Sequence, residues 1–196
     1  MQNPPLATLP DRPRSRRTLV LLALVCIAPV VASYVAFYGV RPSARTNYGE
    51  LVTQPAPDVA GAGIGGSGFR LADLRGRWVL MVFGGENCDA GCERKLYATR
   101  QARTIQGREQ DRVARLLVQP SAAGEPSAAW LASQPGLTVA HAAPGDWPRL
   151  APSGDLRQYI FLLDPLGNVV LRYGDDPDIK RLAKDLSRLL SASRIG

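Results

Sequence analysis

Residues 78–106 read WVLMVFGGENCDAGCERKLYATRQARTIQ. The first seven, Trp78 to Gly84, form an unbroken apolar run, the composition expected of a strand buried on both faces. Cys88 and Cys92 follow with three residues between them. Glu93 to Gln106 then carries a helical pattern, with Leu96, Ala98, Ala102 and Ile105 as inward positions and Gly107 as a stop. The pair therefore lies in a turn that leaves a core strand and enters a helix. Unpaired N–H groups and the positive end of the helix dipole favour a thiolate there, which suits both disulfide exchange and binding of a soft metal. Glu86, Asp89 and Glu93 oppose that effect, and Arg94 and Lys95 partly offset them. Such a turn also brings Cα atoms within the roughly 4.4–6.8 Å that a disulfide requires. A bridge closing so short a loop restrains the unfolded chain little, so stability alone is a weak reason for the pair. Four readings stay open: redox couple, metal clip, structural staple and unconnected thiols.

Downstream, RVARLLVQP (112–120) reads as a second buried strand ended by Pro120, Ser127–Ser133 as a short helix, and LTVAHA (137–142) as a short strand. In QYIFLLDPLGNVVLRY (158–173), two β-rich runs flank the turn-forming cluster Asp164-Pro165-Leu166-Gly167-Asn168, the pattern of a hairpin. The last pattern opens with Asp176 before Pro177 and places Ile179, Leu182, Ala183, Leu186, Leu189 and Leu190 at helical spacing. Strand, helix, strand, helix, strand, hairpin and closing helix is the order of a thioredoxin-like α/β sandwich, a central mixed sheet with helices on both faces. The expected domain spans 69–196. No internal repeat is present.

Upstream, residues 41–68 are rich in Pro, Gly, Ala and Ser without apolar periodicity and read as a linker. Residues 18–40, TLVLLALVCIAPVVASYVAFYGV, carry no charge. As a helix they rise about 34 Å, enough for a hydrocarbon core of roughly 30 Å. Pro29 is tolerated in such a setting, and Tyr34 and Tyr38 suit an interfacial belt. A cleaved signal would have a shorter apolar core, and Val31-Ala32-Ser33 is a poor cleavage site because apolar sequence continues past it. Segment 1–17 holds Arg12, Arg14, Arg16 and Arg17 against Asp11 alone. The positive-inside rule then leaves it cytoplasmic and sends the rest across, although Arg41 and Arg45 weaken the asymmetry. The expected location is a bacterial-type inner membrane, single-pass, with the C-terminal domain periplasmic. Outside such a membrane thiols oxidise unless kept reduced.

Of the formal charge of +7, residues 1–40 hold +3, leaving +4 dispersed over the domain without aromatic interleaving. Nucleic-acid binding has no support in that pattern. Cys26, inside the apolar run, reads as a small apolar residue.

The GRWVLMVFG strand, the Cys-x-x-x-Cys pair at a helix head and the late YIFLLDPLGNVVLRYG hairpin together resemble the SCO/SenC family over roughly residues 69–190. Those are membrane-anchored thioredoxin-fold proteins that assist copper-centre assembly in cytochrome c oxidase. The resemblance implies Cys88 and Cys92 as the working residues, in thiol–disulfide exchange and as Cu(I) ligands. It also implies a cytochrome c oxidase subunit or another copper chaperone as partner. Two departures stand out. The family's loop usually carries prolines, whereas here it is Cys-Asp-Ala-Gly-Cys-Glu. The family's third copper ligand is a histidine in an Asp-His-Ser stretch before the hairpin, and Asp155-Leu156-Arg157 holds that place. The chain's single histidine, His141, reads as a strand-end residue, or as a relocated ligand if its segment passes the cysteine loop. Two thiolates alone suit Cu(I), while Cu(II) normally wants imidazole as well. Two other functions compete. A general periplasmic thiol–disulfide oxidoreductase would carry Cys-x-x-Cys and a proline directly before the strand facing the cysteines, whereas Pro152 lies several residues ahead of Tyr159–Leu163. A membrane-tethered binding module would keep the fold and lose the chemistry.

Overall fold

The computed structural model describes residues 16–39 and 47–193. The expectations for residues 1–15 and 40–46 fall outside these. The chain forms two compact units, one through Arg45 and one from Thr46.

The described part of the first unit is one helix, α1 (Arg16–Gly39), containing Pro29. Its described apolar side chains, among them Leu19, Leu22, Val25, Val30 and Val35, are exposed. It is long and apolar enough to cross a membrane. Tyr34 and Tyr38 stack near its end, ring centroids 6.1 Å apart.

The second unit contains β1 (Glu50–Pro55), β2 (Ala60–Gly63), β3 (Gly68–Arg70), β4 (Trp78–Phe83), α2 (Ala90–Ile105), β5 (Val113–Gln119), α3 (Ala128–Ala132), β6 (Leu137–Ala142), β7 (Ile160–Leu163), β8 (Asn168–Tyr173) and α4 (Ile179–Ala192). One eight-stranded sheet runs in the order β1-β8-β7-β4-β5-β6-β2-β3. The β4–β5 and β5–β6 ladders are parallel, and β7 meets β4 antiparallel. The fold is the expected α/β, thioredoxin-like sandwich. Its two faces differ in cover. Leu80, Val82, Leu117 and Leu162 pack beneath Leu96 and Ala102 of α2 and Leu182 and Leu186 of α4. On the other face, Met81, Phe83, Leu116 and Phe161 are covered by three short 3-10 helices carrying Leu71, Leu74, Trp147, Leu150 and Leu156.

Several sequence boundaries shift. Residues 41–68 are not all linker, because β1, β2 and part of β3 lie there, and the sheet gains strands before Phe69. Neither β1 nor β2 shows apolar alternation, for physical reasons. β1 is an edge strand, exposed along most of its length and paired only with β8. β2 is Ala-Gly-Ala-Gly and pairs with β6 at very close range: a Cβ on Gly61 would lie 2.1 Å from the carbonyl oxygen of His141. Only glycine fits there. Helix α2 starts earlier than its apolar pattern, at Ala90, because Asp89 caps it. Ile105, expected inward, is exposed in the last turn. Helix α4 is capped by Asp178, not Asp176; its carboxylate accepts from the Arg181 N–H at 3.0 Å.

Candidate functional site: a cysteine pair at a helix head

The Asp89 carboxylate accepts the Cys92 N–H at 2.8 Å. That cap sets Cys92 in the first turn of α2 and Cys88 just ahead of it. The two are joined as a disulfide, with Cα atoms 5.2 Å apart. Cys92 is 2% exposed, packed in the core under α2, whereas Cys88 is only partly buried. The loop between β4 and the disulfide is fastened from below. The Gly84 N–H donates to the Val118 carbonyl at 2.9 Å, and the Gln119 side-chain amide donates to the carbonyls of Gly85 (3.1 Å) and Glu86 (3.4 Å). Gly84 sits close against the core: a Cβ would stand 3.2 Å from Leu117 and 3.5 Å from the Cys92 sulfur.

Beside Cys92 lies a polar recess of about 330 Å³. Lys95, buried at 2% exposure, reaches into it from α2. Its Nζ donates to Asp175 at 2.6 Å and to the Gly91 carbonyl at 3.0 Å. Arg94 also reaches Asp175, at 3.3 Å. The hydrogen bond from Lys95 holds the Asp175 carboxyl below its usual range. Opposite, Arg157 donates to Asp155 at 3.1 Å, which lowers the Asp155 pKa and raises that of Arg157. These three cations are thus paired with carboxylates in the recess. A second recess, of about 400 Å³, opens on Cys88 and is bordered by Glu86, Glu93, Gln119 and Trp130. The Trp130 indole N–H donates to Glu93 at 2.7 Å, joining α3 to α2.

The place of the resembled family's histidine is structurally clear. Leu156 is 6% exposed and turned into the core of the other sheet face, while Asp155 and Arg157 face the Cys92 recess as an ion pair. His141 lies on β6, opposite Ala62 and Gln119, buried with neither ring nitrogen hydrogen-bonded. It does not join the cysteines: among the described residues no group of three or more His, Cys, Asp or Glu is arranged to hold a metal. Once the disulfide is reduced, the pair would offer two sulfurs as donors. That set fits Cu(I), which accepts low coordination by soft ligands, and does not fit Cu(II).

Three contributors escaped the sequence reading, and a fourth, Lys95, entered it only as a charge offsetting the acids near the cysteines. Gln119 and Lys95 look like ordinary polar residues in the chain, and their role depends on the sheet register and on Asp175, 80 positions away. Trp130 was legible only as an aromatic in a short helix. Arg115 did leave a signal, a lone charge inside the apolar run VARLLVQ. It is fully buried and donates to the carbonyls of Leu96 (2.7 Å) and Pro135 (3.1 Å) and to the side chains of Gln134 and Thr99 (3.2 Å each).

A mixed sheet with a cysteine pair in the turn between its central strand and the following helix defines a thioredoxin-like protein. The chain belongs to the family described as "Transmembrane-like, thioredoxin-like, C-terminal domain", whose model matches residues 78–193. Among solved structures it is similar to copper-bound yeast Sco1 (TM-score 0.60, 16% identity, covering 72% of this chain and 96% of that one). It is also similar to copper-bound ScoI of Bradyrhizobium japonicum (TM-score 0.54, 19% identity, 68% and 98%). A third is apo Sco1 of Thermus thermophilus (TM-score 0.53, 20% identity, 76% and 98%). At these identities the likeness is one of fold. No curated protein matches the chain.

Proposed function

We propose that this protein is a membrane-anchored, periplasmic accessory factor for cytochrome c oxidase biogenesis that works through Cys88 and Cys92, by thiol–disulfide exchange and by carrying Cu(I) as cargo between the reduced sulfurs. The observation that carries the reading is the asymmetric pair at the head of α2: one sulfur reachable, the other buried, with no third metal donor grouped with them among the described residues. In exchange, a partner thiolate attacks the Cys88 sulfur. A mixed disulfide forms and Cys92 leaves as a thiolate at the helix head. A second partner thiolate then attacks the partner's sulfur in the mixed disulfide and releases Cys88. Two electrons pass to this chain and the partner gains a disulfide; the reverse sequence reduces a partner. The copper-bound Sco1 and ScoI structures support the cargo half by likeness of fold. Leu156, with no donor where the resembled family has its histidine, favours exchange over tight metal holding.

The test is redox equilibration of the purified protein against glutathione, together with competition for Cu(I) against a chromophoric chelator. The expected result is a reversible two-electron couple and about one Cu(I) per reduced chain, since two soft sulfurs make one site. Both are lost in Cys88→Ser and Cys92→Ser and kept in His141→Ala. Cu(I) binding that survives loss of both cysteines overturns the cargo half. A dithiol that resists oxidation overturns the exchange half and leaves a tethered binding module.

A further inference from the structure

The recess that opens on Cys88 carries charge of the opposite sign to the chain as a whole, whose formal net charge is +7. Three carboxylates border it: Glu86 on the loop after β4, Glu93 in the first turn of α2, and Glu125 ahead of α3. Glu86 and Glu125 are exposed, and Glu93 is half-buried. None of the three forms an ion pair among the described residues. Glu93 accepts the Trp130 indole N–H at 2.7 Å, and Glu125 accepts the Gly65 N–H at 3.1 Å. Both donors are neutral, so neither acid has a counter-ion. The cations nearest in sequence, Arg94 and Lys95, are bound to Asp175 on the Cys92 side.

A second feature of the recess calls for a donor. Gln119 lines it at 5% exposure and uses its Nε2 to hold the Gly85 and Glu86 carbonyls. Its Oε1 is buried with no hydrogen-bond partner. A buried acceptor left without a donor is unfavourable until something supplies one. The indole N–H of the recess does not, because it donates to Glu93.

We infer that this rim selects the partner in the exchange reaction: the thiol or disulfide that reaches Cys88 carries a cationic N–H group, a lysine or arginine beside its own cysteine. The inference rests on the exchange reading of the cysteine pair and names the chemistry of its partner. A cation entering the recess meets three uncompensated carboxylates and brings N–H donors to where Gln119 lacks one. An anion meets repulsion beside the reacting sulfur. Burial decides which of the two sulfurs reacts; the rim decides with what.

Small disulfides of graded charge test this on the full chain. Reduced protein in an uncharged detergent is mixed with cystamine, hydroxyethyl disulfide or dithiodipropionate, which carry positive, no and negative charge. In each case the Cys88 thiolate attacks one sulfur of the reagent and releases one small thiol. The Cys92 thiolate then attacks the Cys88 sulfur and releases the second. The protein loses two electrons and the reagent becomes two thiols; quenching with a maleimide and reading the mass shift gives the rate. The same rates are measured for Glu86→Gln/Glu93→Gln/Glu125→Gln, in which glutamine can still accept the Trp130 N–H. Dividing by the neutral reagent removes any change in the Cys88 thiolate itself. The wild-type-to-variant ratio should then be about threefold or more above one for cystamine, and as far below one for dithiodipropionate, as expected of several exposed charges acting together. Both should approach one near 1 M salt, where the Debye length shrinks to roughly 3 Å. Exchange with all three reagents at ratios of one overturns the proposal and leaves the exchange reading standing. A ratio that salt leaves unchanged also overturns it, because the variant would then have altered the shape of the recess rather than its charge. Reduced protein that reacts with none of the reagents overturns the exchange reading, and this inference with it.

Discussion

Cys88 and Cys92 differ in exposure, and that difference orders their chemistry. A bulky or charged electrophile reaches the half-buried sulfur before the one packed beneath α2. After reduction, iodoacetate is expected to modify Cys88 first, and peptide mapping of a short reaction should show it; prior or equal loss of Cys92 would contradict the assignment of Cys88 as the attacked sulfur. The ion pairs beside Cys92 make a second prediction. Asp175 has its pKa lowered mainly by the hydrogen bond from Lys95. For a carboxyl with a depressed folded pKa, the stabilisation is present above the ordinary carboxylate range and is lost as pH falls through the lowered value. Acid then leaves Lys95 buried without its counter-ion. The stability gap between wild type and Asp175→Asn should therefore be widest near neutrality and close on acidification. Chemical denaturation at pH 7, 5 and 3 measures it, and a gap independent of pH would remove this role from the pair. Of the residues around the site, the cysteines were legible in the sequence, since two thiols ahead of a helical pattern have few other uses. Gln119 and Lys95 were not, because what they touch is decided by strand register and by contacts across the chain.

Arg115 shows the same division at the level of elements. Residues 113–119 form a strand buried at every position, and the run reads as one from its apolar residues alone. What the run hides is a guanidinium that joins α2 to the turn before β6 through acceptors on both. Burial first, then Arg100 and Arg103, lower its pKa to about 10, so it stays a cation at neutral pH. Arg115→Ala takes this donor from the Pro135 carbonyl and the Gln134 side-chain oxygen, opens a cavity, and should cost roughly 3–5 kcal/mol. Arg115→Lys should recover little of that loss, because one ammonium cannot reproduce the planar fork. Thermal melts of the two variants check this, and a full rescue by lysine would show that charge alone matters there. The parallel core strands and α4 were legible from apolar run and period. β1 and β2 were not, because an exposed edge strand and a glycine–alanine strand have no apolar alternation to show. The helix starts were missed by a few residues because aspartate caps, rather than the first apolar residue, decide them.

For the whole molecule, everything downstream of α1 depends on which side of the membrane it reaches. The apolar stretch was fully legible, since lipid demands a helix apolar all round and α1 is one. Its direction rests on the flanking charge alone. Four arginines precede the span and two follow it closely, so the bias toward a cytoplasmic start is real but modest. An oxidising compartment is also what makes an exchangeable disulfide useful, because in a reducing cytosol the Cys88–Cys92 pair would rest as a dithiol. A reporter enzyme that needs disulfides of its own, fused downstream of α4, is therefore expected to be active in cells. Replacing Arg12, Arg14, Arg16 and Arg17 by glutamine leaves Arg41 and Arg45 as the dominant charges, and should lower that activity by inverting part of the population. A reporter that works only in the cytoplasm should behave oppositely in both backgrounds. If the cytoplasmic reporter is the active one in the unmodified chain, the domain lies among reduced thiols, and the exchange reaction proposed for it loses its setting.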